Sequence, residues 1–345
     1  MNIKPNSTAL SYDDVLLKPR FSDIESRSEI DLSIDMGKTL QLGMPIFSSP
    51  MDTVSESKMA IAMDAVGASA VIHRYNTIEQ QAEMITAAVN ESQNNVGAAV
   101  GISGDYLERA TAAFNSGATF ICVDVAHGHH KMMKTALHRL RRMLGEDYHI
   151  MAGNVATLEG VNDLSDWGAD SVRCNIGGGS ICSTRIQTGH GMPGLQTIFE
   201  CAKTDRDVKI IADGGIKNSG DIVKAIAAGA DAVMVGSLLA GTQETPGSIM
   251  KDGNGLIWKE YRGMASKEAQ VDWRGKYSSF EGVSTRVPHR GPVNLVLKDL
   301  EKGIRSGFSY SGARNIRELQ AVAEFVVQTS AGQYESNTHI NTRAW

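Results

Sequence analysis

Residues 208–239 read VKIIADGGIKNSGDIVKAIAAGADAVMVGSLL, one full turn of a rhythm that runs through most of the chain. Val208 to Gly215 (VKIIADGG) is an apolar, β-branched run that closes on small and polar residues. Asp221 to Ala228 carries its apolar residues at helical spacing, and Gly229 stops it, as a glycine just past a helix C-terminus does. Ala232 to Leu239 (AVMVGSLL) is the next apolar run. Runs this continuously apolar suit strands buried on both faces, the mark of a parallel sheet.

Six further runs precede these two: Pro45 to Pro50 (PIFSSP), Ala70 to Arg74 (AVIHR), Val96 to Gly101 (VGAAVG), Phe120 to Ala126 (FICVDVA), His149 to Val155 (HIMAGNV) and Ala169 to Ile176 (ADSVRCNI). Helical stretches fall between them: Glu56 to Val66 with Ser55 as its cap, Ile78 to Val89 after Thr77, Tyr106 to Asn115, Lys131 to Leu144, Leu158 to Trp167 and Leu195 to Cys201. Gly67, Gly117 and Gly168 stop their helices as Gly229 does. Strict βα alternation over eight units predicts an α/β fold, a (β/α)₈ TIM barrel. The competitor is an open doubly wound sheet, but no GxGxxG follows the first strand.

After the eighth run the rhythm breaks. Residues 240–292 are polar and glycine-rich, too long for an ordinary connection, and predict an active-site flap over 250–292. Helices are expected at Val293 to Ile304 and Ile316 to Val327. The tail, 330–345, is polar, and is expected to be disordered or docked on a neighbouring subunit. Residues 1–345 thus read as one barrel catalytic domain.

Composition narrows the function. The chain has 345 residues, 42% hydrophobic and 21% charged, which suits a soluble enzyme with one large core. A net charge of −5 with no basic run argues against a nucleic-acid partner. The stretch MNIKPNSTALSYDD lacks an apolar signal region, and no apolar run approaches the roughly 18 residues that span a bilayer. Four cysteines, Cys122, Cys174, Cys182 and Cys201, show neither a CxxC pair nor zinc spacing, so a reducing, cytoplasmic setting is expected.

In a barrel, chemistry collects at the strand C-terminal ends. Those ends read Ser48-Ser49-Pro50-Met51-Asp52, His73-Arg74, Asp124 with His127-Gly128-His129-His130, Gly153-Asn154, Asp213-Gly214-Gly215 and Gly236-Ser237. The sixth opens into Cys174 to Arg185, CNIGGGSICSTR. Three glycines there let backbone approach a ligand, and Cys182 follows as a candidate nucleophile beside Ser183 and Thr184. The competing reading is a glycine turn with an inert, buried cysteine.

GGGSICSTR (177–185) resembles the catalytic-cysteine loop of the IMP dehydrogenase and GMP reductase family. So do SSPMDTV (48–54), DVAHGH (124–129), AGNVAT (152–157), ADGGIKNSGD (212–221), MVGSLLAGTQETPG (234–247) and YRGM (261–264). The resemblance implies a barrel assembled as a homotetramer, binding a purine nucleoside monophosphate with a nicotinamide, NADP(H) or NAD(H), stacked on its base. Cys182 would attack C2 of the purine, and hydride would then pass between C2 and the nicotinamide. A thiolate suits attack on an electron-poor ring carbon.

The resemblance carries over residue by residue. Ser180, Gly215, Gly236, Ser237 and Tyr261 would hold the 5′-phosphate, largely through backbone N–H groups. Asp213 would accept from both ribose hydroxyls, and Gly263 and Met264 would meet the base, with Ser49 and Met51 in the same pocket. On the cofactor side fall Asp124, Ala126, His127, Gly128 and Asn154. By spacing alone His127 and His129 suit a metal; the resemblance makes them loop residues near the cofactor. A potassium ion would sit on the Gly177, Gly179 and Cys182 carbonyls, with Glu335 and Ser336 arriving across a subunit boundary. Asn175 stands where the family usually has glycine, and Asn337 where it usually has histidine.

Two reactions share this machinery. GMP reductase expels ammonia from GMP and takes hydride from NADPH to give IMP; IMP dehydrogenase passes hydride to NAD⁺ and then hydrolyses the adduct. The dehydrogenase needs a base for water, an Arg-Tyr pair on a long flap, and none lies between Met264 and Val287. The reductase pairs a threonine after the cysteine with a flap glutamate, and Thr184 and Glu281 take those positions. The regulatory modules that dehydrogenases carry between strands two and three are also missing. AGTQETPG, YRGM and AGQYES (331–336) look more like dehydrogenases. The flap favours GMP reductase, with IMP dehydrogenase the alternative. A non-catalytic nucleotide-binding regulator is a third reading, opposed by the intact Cys182, Thr184 and Asp213.

Overall fold

A computed structural model describes residues 8–38, 40–92, 95–277 and 280–338. Eight parallel strands close into a barrel: β1 Ile46–Ser48, β2 Ser69–Ile72, β3 Val96–Val100, β4 Phe120–Asp124, β5 His149–Val155, β6 Ser171–Cys174, β7 Lys209–Asp213 and β8 Ala232–Val235. Each pairs with the next in chain order, and Val233 opposite Ile46 closes the ring. The open-sheet alternative is thereby excluded. Every residue of β1, β2, β3, β6 and β8 is buried, which is why these strands, β6 with its Arg173 excepted, read as largely apolar runs.

The surrounding helices are α1 Ser57–Asp64, α2 Ile78–Glu91, α3 Tyr106–Asn115, α4 Lys131–Leu144, α5 Leu158–Asp166, the short α6 Thr184–Thr188, α7 Gly194–Cys201 and α8 Ser219–Ala227. Thr77 caps α2 in a reciprocal box with Gln80. Ser55 does not cap α1, contrary to expectation: Glu56 takes that position, and the Ser55 hydroxyl donates to the Ser49 carbonyl at 2.6 Å. Gly67, Gly117, Gly168 and Gly229 all adopt positive φ after their helices, as their sequence positions predict. The long helix that follows β8, α10 Val293–Ser311, extends further than expected and packs on α8 and α1, completing the outer ring.

The barrel centre is filled by side chains. Phe47 and Phe120 meet edge to face at 5.8 Å, and Phe120 also meets His149 at 6.1 Å. Gly97 makes room: a Cβ there would lie 2.2 Å from the Phe120 ring. His149 is fully buried, with Nδ1 donating to the Gly37 carbonyl and Nε2 accepting from the Ser171 hydroxyl at 2.8 Å. Burial pushes its imidazole down to about 4 from the ordinary 6.5. The unfolded chain therefore takes up this proton first. Stability should be full above pH 6.5 and fall by on the order of 3 kcal/mol as pH drops towards 4. Urea titrations across that range should show the slope, and His149→Gln should flatten it.

Three expectations change after β8. Residues 240–292 are not one structureless loop: strands β9 Met250–Lys251, β10 Ile257–Arg262 and β11 Ser284–Pro288 form an antiparallel sheet, with helix α9 Lys267–Arg274 inserted. The strands were hidden because the apolar Ile249, Met250, Leu256 and Ile257 are substantially exposed while the buried positions of β10 are Lys259 and Tyr261, so burial does not follow an apolar pattern. The second C-terminal helix stops early, α11 being Ile316–Val322, and Phe325–Val327 is a strand paired with Val15–Leu17. In the tail, Thr329 caps α12 Ser330–Glu335, and residues 339–345 lie outside the described part. No described helix is long and apolar enough to cross a membrane.

Candidate active site

A cleft of about 360 Å³ opens at the C-terminal ends of the strands, walled by the β6 loop, the ends of β1, β4, β5, β7 and β8, and the flap. The β6 loop needs its glycines for different reasons. Gly177 has φ +80°, and a Cβ on Gly178 would collide with the Asn175 amide at 2.2 Å. The turn closes where the Cys182 N–H donates to the Gly179 carbonyl at 3.1 Å.

Cys182 is the one partly exposed cysteine of the four; Cys122, Cys174 and Cys201 are buried. Burial pushes the Cys122 thiol up to about 12 and that of Cys174 well above its ordinary value, which suits inert core residues. Cys182 instead lines the cleft, so the reading of it as a buried core cysteine fails for it alone. Its Sγ lies 3.1 Å from the Thr184 hydroxyl, which donates to Glu281 Oε2 at 2.7 Å. Thiol, hydroxyl and carboxylate thus form a continuous path for a proton.

Glu281 reaches the loop because the flap is laced onto it. The Ser183 N–H donates to the Glu281 carbonyl at 2.9 Å, the Val283 N–H to Ile181 at 3.0 Å, and the Glu281 N–H to Ala265 at 3.0 Å. Gly282 bridges Cys182 on one side and Ser266 on the other. A Cβ there would sit 3.2 Å from the Ser266 nitrogen and 3.3 Å from Gly263 Cα. Arg262 bonds Asp52 beyond β1 and Asp272 on α9, and Trp273 stacks on Tyr75 beyond β2 at 6.0 Å, so the flap is also fastened to the rim.

The same cleft gathers most of the predicted phosphate and base residues. Ser49, Met51, Ser180, Gly215, Gly236, Ser237, Tyr261, Gly263 and Met264 all line it. A Cβ on Gly236 would lie 3.1 Å from both Met51 Sδ and the Tyr261 hydroxyl, so only glycine leaves that floor open. Tyr261 shares a hydrogen bond with Ser180, and burial pushes its phenol up to about 12, keeping it protonated as a donor. Met264 Sδ accepts from the Asp52 N–H at 3.2 Å.

On the cofactor side, Asp124, Ala126 and Asn154 line the cleft, whereas His127 and Gly128 do not. His127 is exposed at the rim, and the Gly128 N–H donates to the Asn154 carbonyl at 2.7 Å. His129 pairs with Asp163 on α5 at 2.8 Å. Of the groups expected around potassium, Gly177 and Gly179 border the cleft, but Glu335 and Ser336 do not. Within one chain they stay with α12, where the Ser336 hydroxyl donates to Gln328 at 2.9 Å.

Sequence reasoning passed over Arg173. It lies in β6 with its guanidinium buried between two carboxylates, Nη1 donating to Asp124 Oδ1 at 2.6 Å and Nη2 to Asp213 Oδ2 at 2.8 Å. Burial alone would weaken its charge, but Asp213, Cys122 and Asp124 outweigh it and hold the group firmly protonated. Asn154 Nδ2 also donates to Asp213 Oδ2, at 2.8 Å. The available signal was one cation inside an otherwise apolar strand run, SVRC.

A barrel whose strand ends present an accessible thiol, a hydroxyl–carboxylate relay and a cleft with paired carboxylates has the parts that covalent nucleophilic catalysis uses. The IMP dehydrogenase / GMP reductase domain matches residues 9–339, so the chain belongs to that family and is an oxidoreductase. An inosine-5′-monophosphate dehydrogenase from Nitrosopumilus maritimus is 32% identical over 467 aligned positions, covering 96% of this chain and 98% of that one. A GMP reductase from Leishmania major is 30% identical over 476 positions, covering 96% of each. A solved structure of a GMP reductase variant from Trypanosoma brucei with guanosine 5′-monophosphate superposes with a TM-score of 0.90 and 30% identity, over 96% of this chain and 98% of that one. Both sequence alignments are longer than this chain's 345 residues, so both relatives carry inserted residues that it lacks. A missing insertion therefore does not separate reductase from dehydrogenase.

Proposed function

We propose that the protein is a GMP reductase, converting GMP and NADPH to IMP, ammonia and NADP⁺. The observation that carries this reading is the Cys182–Thr184–Glu281 relay, at 3.1 and 2.7 Å. Cys182 Sγ adds to C2 of the purine and gives its proton to Thr184, which passes one to Glu281. The relay then runs in reverse: Glu281 returns the proton through Thr184 to the 2-amino group, and the C2–N bond breaks to release ammonia. NADPH, once bound, would supply a hydride to C2. With hydride on C2 the C–S bond breaks, giving IMP, and Cys182 leaves as thiolate and takes one proton from solvent to restore the thiol. Ser180 and Tyr261 hold the phosphate, and Asp213 holds the ribose hydroxyls. Asp124 keeps Oδ2 without a hydrogen bond among the described residues, which fits a ribose hydroxyl of the nicotinamide half.

The alternative, IMP dehydrogenase, is favoured by relatives of that name at 32 to 33% identity. Its hydrolytic step needs a base beside the thioester-like adduct. Neither Arg274 nor Tyr277 lines the cleft, whereas Glu281 does. The same reading carries a homotetramer, with potassium held jointly by the β6 loop and a neighbour's tail, and a cytoplasmic setting. The free state of all four cysteines supports a reducing compartment.

Mixing the protein with GMP and NADPH should consume reduced-cofactor absorbance and release one ammonia per cofactor oxidised. IMP-dependent reduction of NAD⁺, with no reaction of GMP, would overturn the assignment. Asp213→Ala should raise the KM for GMP roughly 10- to 100-fold, the loss expected when charged hydrogen bonds to a ribose are removed. Initial rates against GMP concentration check this, and an unchanged KM removes Asp213 from the ribose.

A further inference from the structure

Arg173 joins two carboxylates that belong to different ligands. Its fork gives Nε and Nη2 to Asp213 Oδ2, at 3.0 and 2.8 Å, and Nη1 to Asp124 Oδ1, at 2.6 Å. The two acids stand at the ends of β7 and β4, and β6 reaches between them. Room for the side chain comes from Gly153 on β5, where a Cβ would lie 2.6 Å from Arg173 Cβ. Each acid gives one oxygen to the guanidinium. The other, Asp213 Oδ1 or Asp124 Oδ2, makes no hydrogen bond among the described residues, Asp124 Oδ2 facing Arg74 Nε at 3.9 Å, and both acids border the cleft.

We propose that Arg173 is a positioning residue that couples nucleotide binding at Asp213 to dinucleotide binding at Asp124. The inference rests on the ribose roles given to those two acids above. A guanidinium is a rigid planar fork, so its two ends cannot be aimed independently. A ribose diol that fixes Asp213 fixes the plane of Arg173, and with it the orientation of Asp124. The second ligand then meets a carboxylate already set, and less ordering remains to oppose its binding. By linkage the effect is reciprocal: each ligand tightens the other by the same factor. Lysine at 173 would keep the charge but lose the fork.

The test is calorimetric and is run with Cys182→Ala throughout, because without the thiol GMP forms no covalent adduct and GMP with oxidised NADP⁺ is a non-reacting pair. Protein otherwise wild type should bind GMP about tenfold more tightly when NADP⁺ is saturating, and NADP⁺ about tenfold more tightly when GMP is saturating. In Arg173→Lys the factor should fall to near one, with the melting transition still cooperative. Asp124→Asn, which cuts the far end of the bridge, should also abolish the factor, and it serves if the lysine variant does not fold. Binding of both ligands without mutual tightening in the otherwise wild-type protein, or full tightening retained in either variant, overturns the proposal alone. Failure of the otherwise wild-type protein to bind GMP or NADP⁺ at all instead defeats the functional reading on which it rests.

Discussion

Cys182→Ala should lose turnover by on the order of 10⁴-fold or more while still binding GMP. The size follows from what the thiol does. Without it no covalent bond forms at C2, so ammonia cannot be expelled and there is no electron-poor adduct to accept hydride. Nucleotide binding should survive because the groups assigned to it, Ser180, Tyr261 and Asp213, lie on the β6 loop, the flap strand β10 and β7. The other three thiols offer no substitute, since all are buried. Single-turnover assays alongside equilibrium binding separate the two effects. A variant that keeps more than about a hundredth of the wild-type rate would remove Cys182 from the chemistry.

Glu281→Gln should slow ammonia release roughly 10²- to 10⁴-fold, the range ascribed to a positioned general acid or base, and leave GMP affinity near that of the wild type. Glutamine preserves shape and can still accept from Thr184, but it cannot shuttle a proton. The flap should remain in place, because its attachment to the β6 loop runs through the backbone of residues 281–283 and not through this side chain. Ammonia measured in the first turnover is the informative signal. A rate equal to wild type would leave the carboxylate a bystander, and the preference for reductase over dehydrogenase would lose its main support.

The barrel was legible because its strands are buried on both faces. Runs such as VKIIADGG and HIMAGNV could be read without knowing their neighbours, and positive-φ glycines marked the helix ends. The flap was not legible as structure, because its small sheet leaves Ile249, Met250, Leu256 and Ile257 at the surface and buries Lys259 and Tyr261, so apolar residues do not mark its inner face. Phe325–Val327 was read as helix because its pairing with Val15–Leu17 joins segments about three hundred residues apart, beyond any local pattern. At the site, Cys182, Thr184 and Glu281 were found through motifs, and the structure brings them within hydrogen-bonding reach across 97 positions of sequence separation. Arg173 was missed for the opposite reason. Its importance lies in joining Asp124 to Asp213, and neither lies near it in sequence.

If Cys182 carries the purine while C2 exchanges an amino group for hydride, the label of the cofactor must end on C2. Running the reaction with GMP and NADPH deuterated at the transferable C4 position, then examining the product by proton NMR, reads this directly. The expected product is IMP labelled at C2, one deuterium per ammonia released, with neither formed by Cys182→Ala. IMP formed without deuterium at C2, or labelled IMP formed by the alanine variant at the wild-type rate, would contradict this role of Cys182.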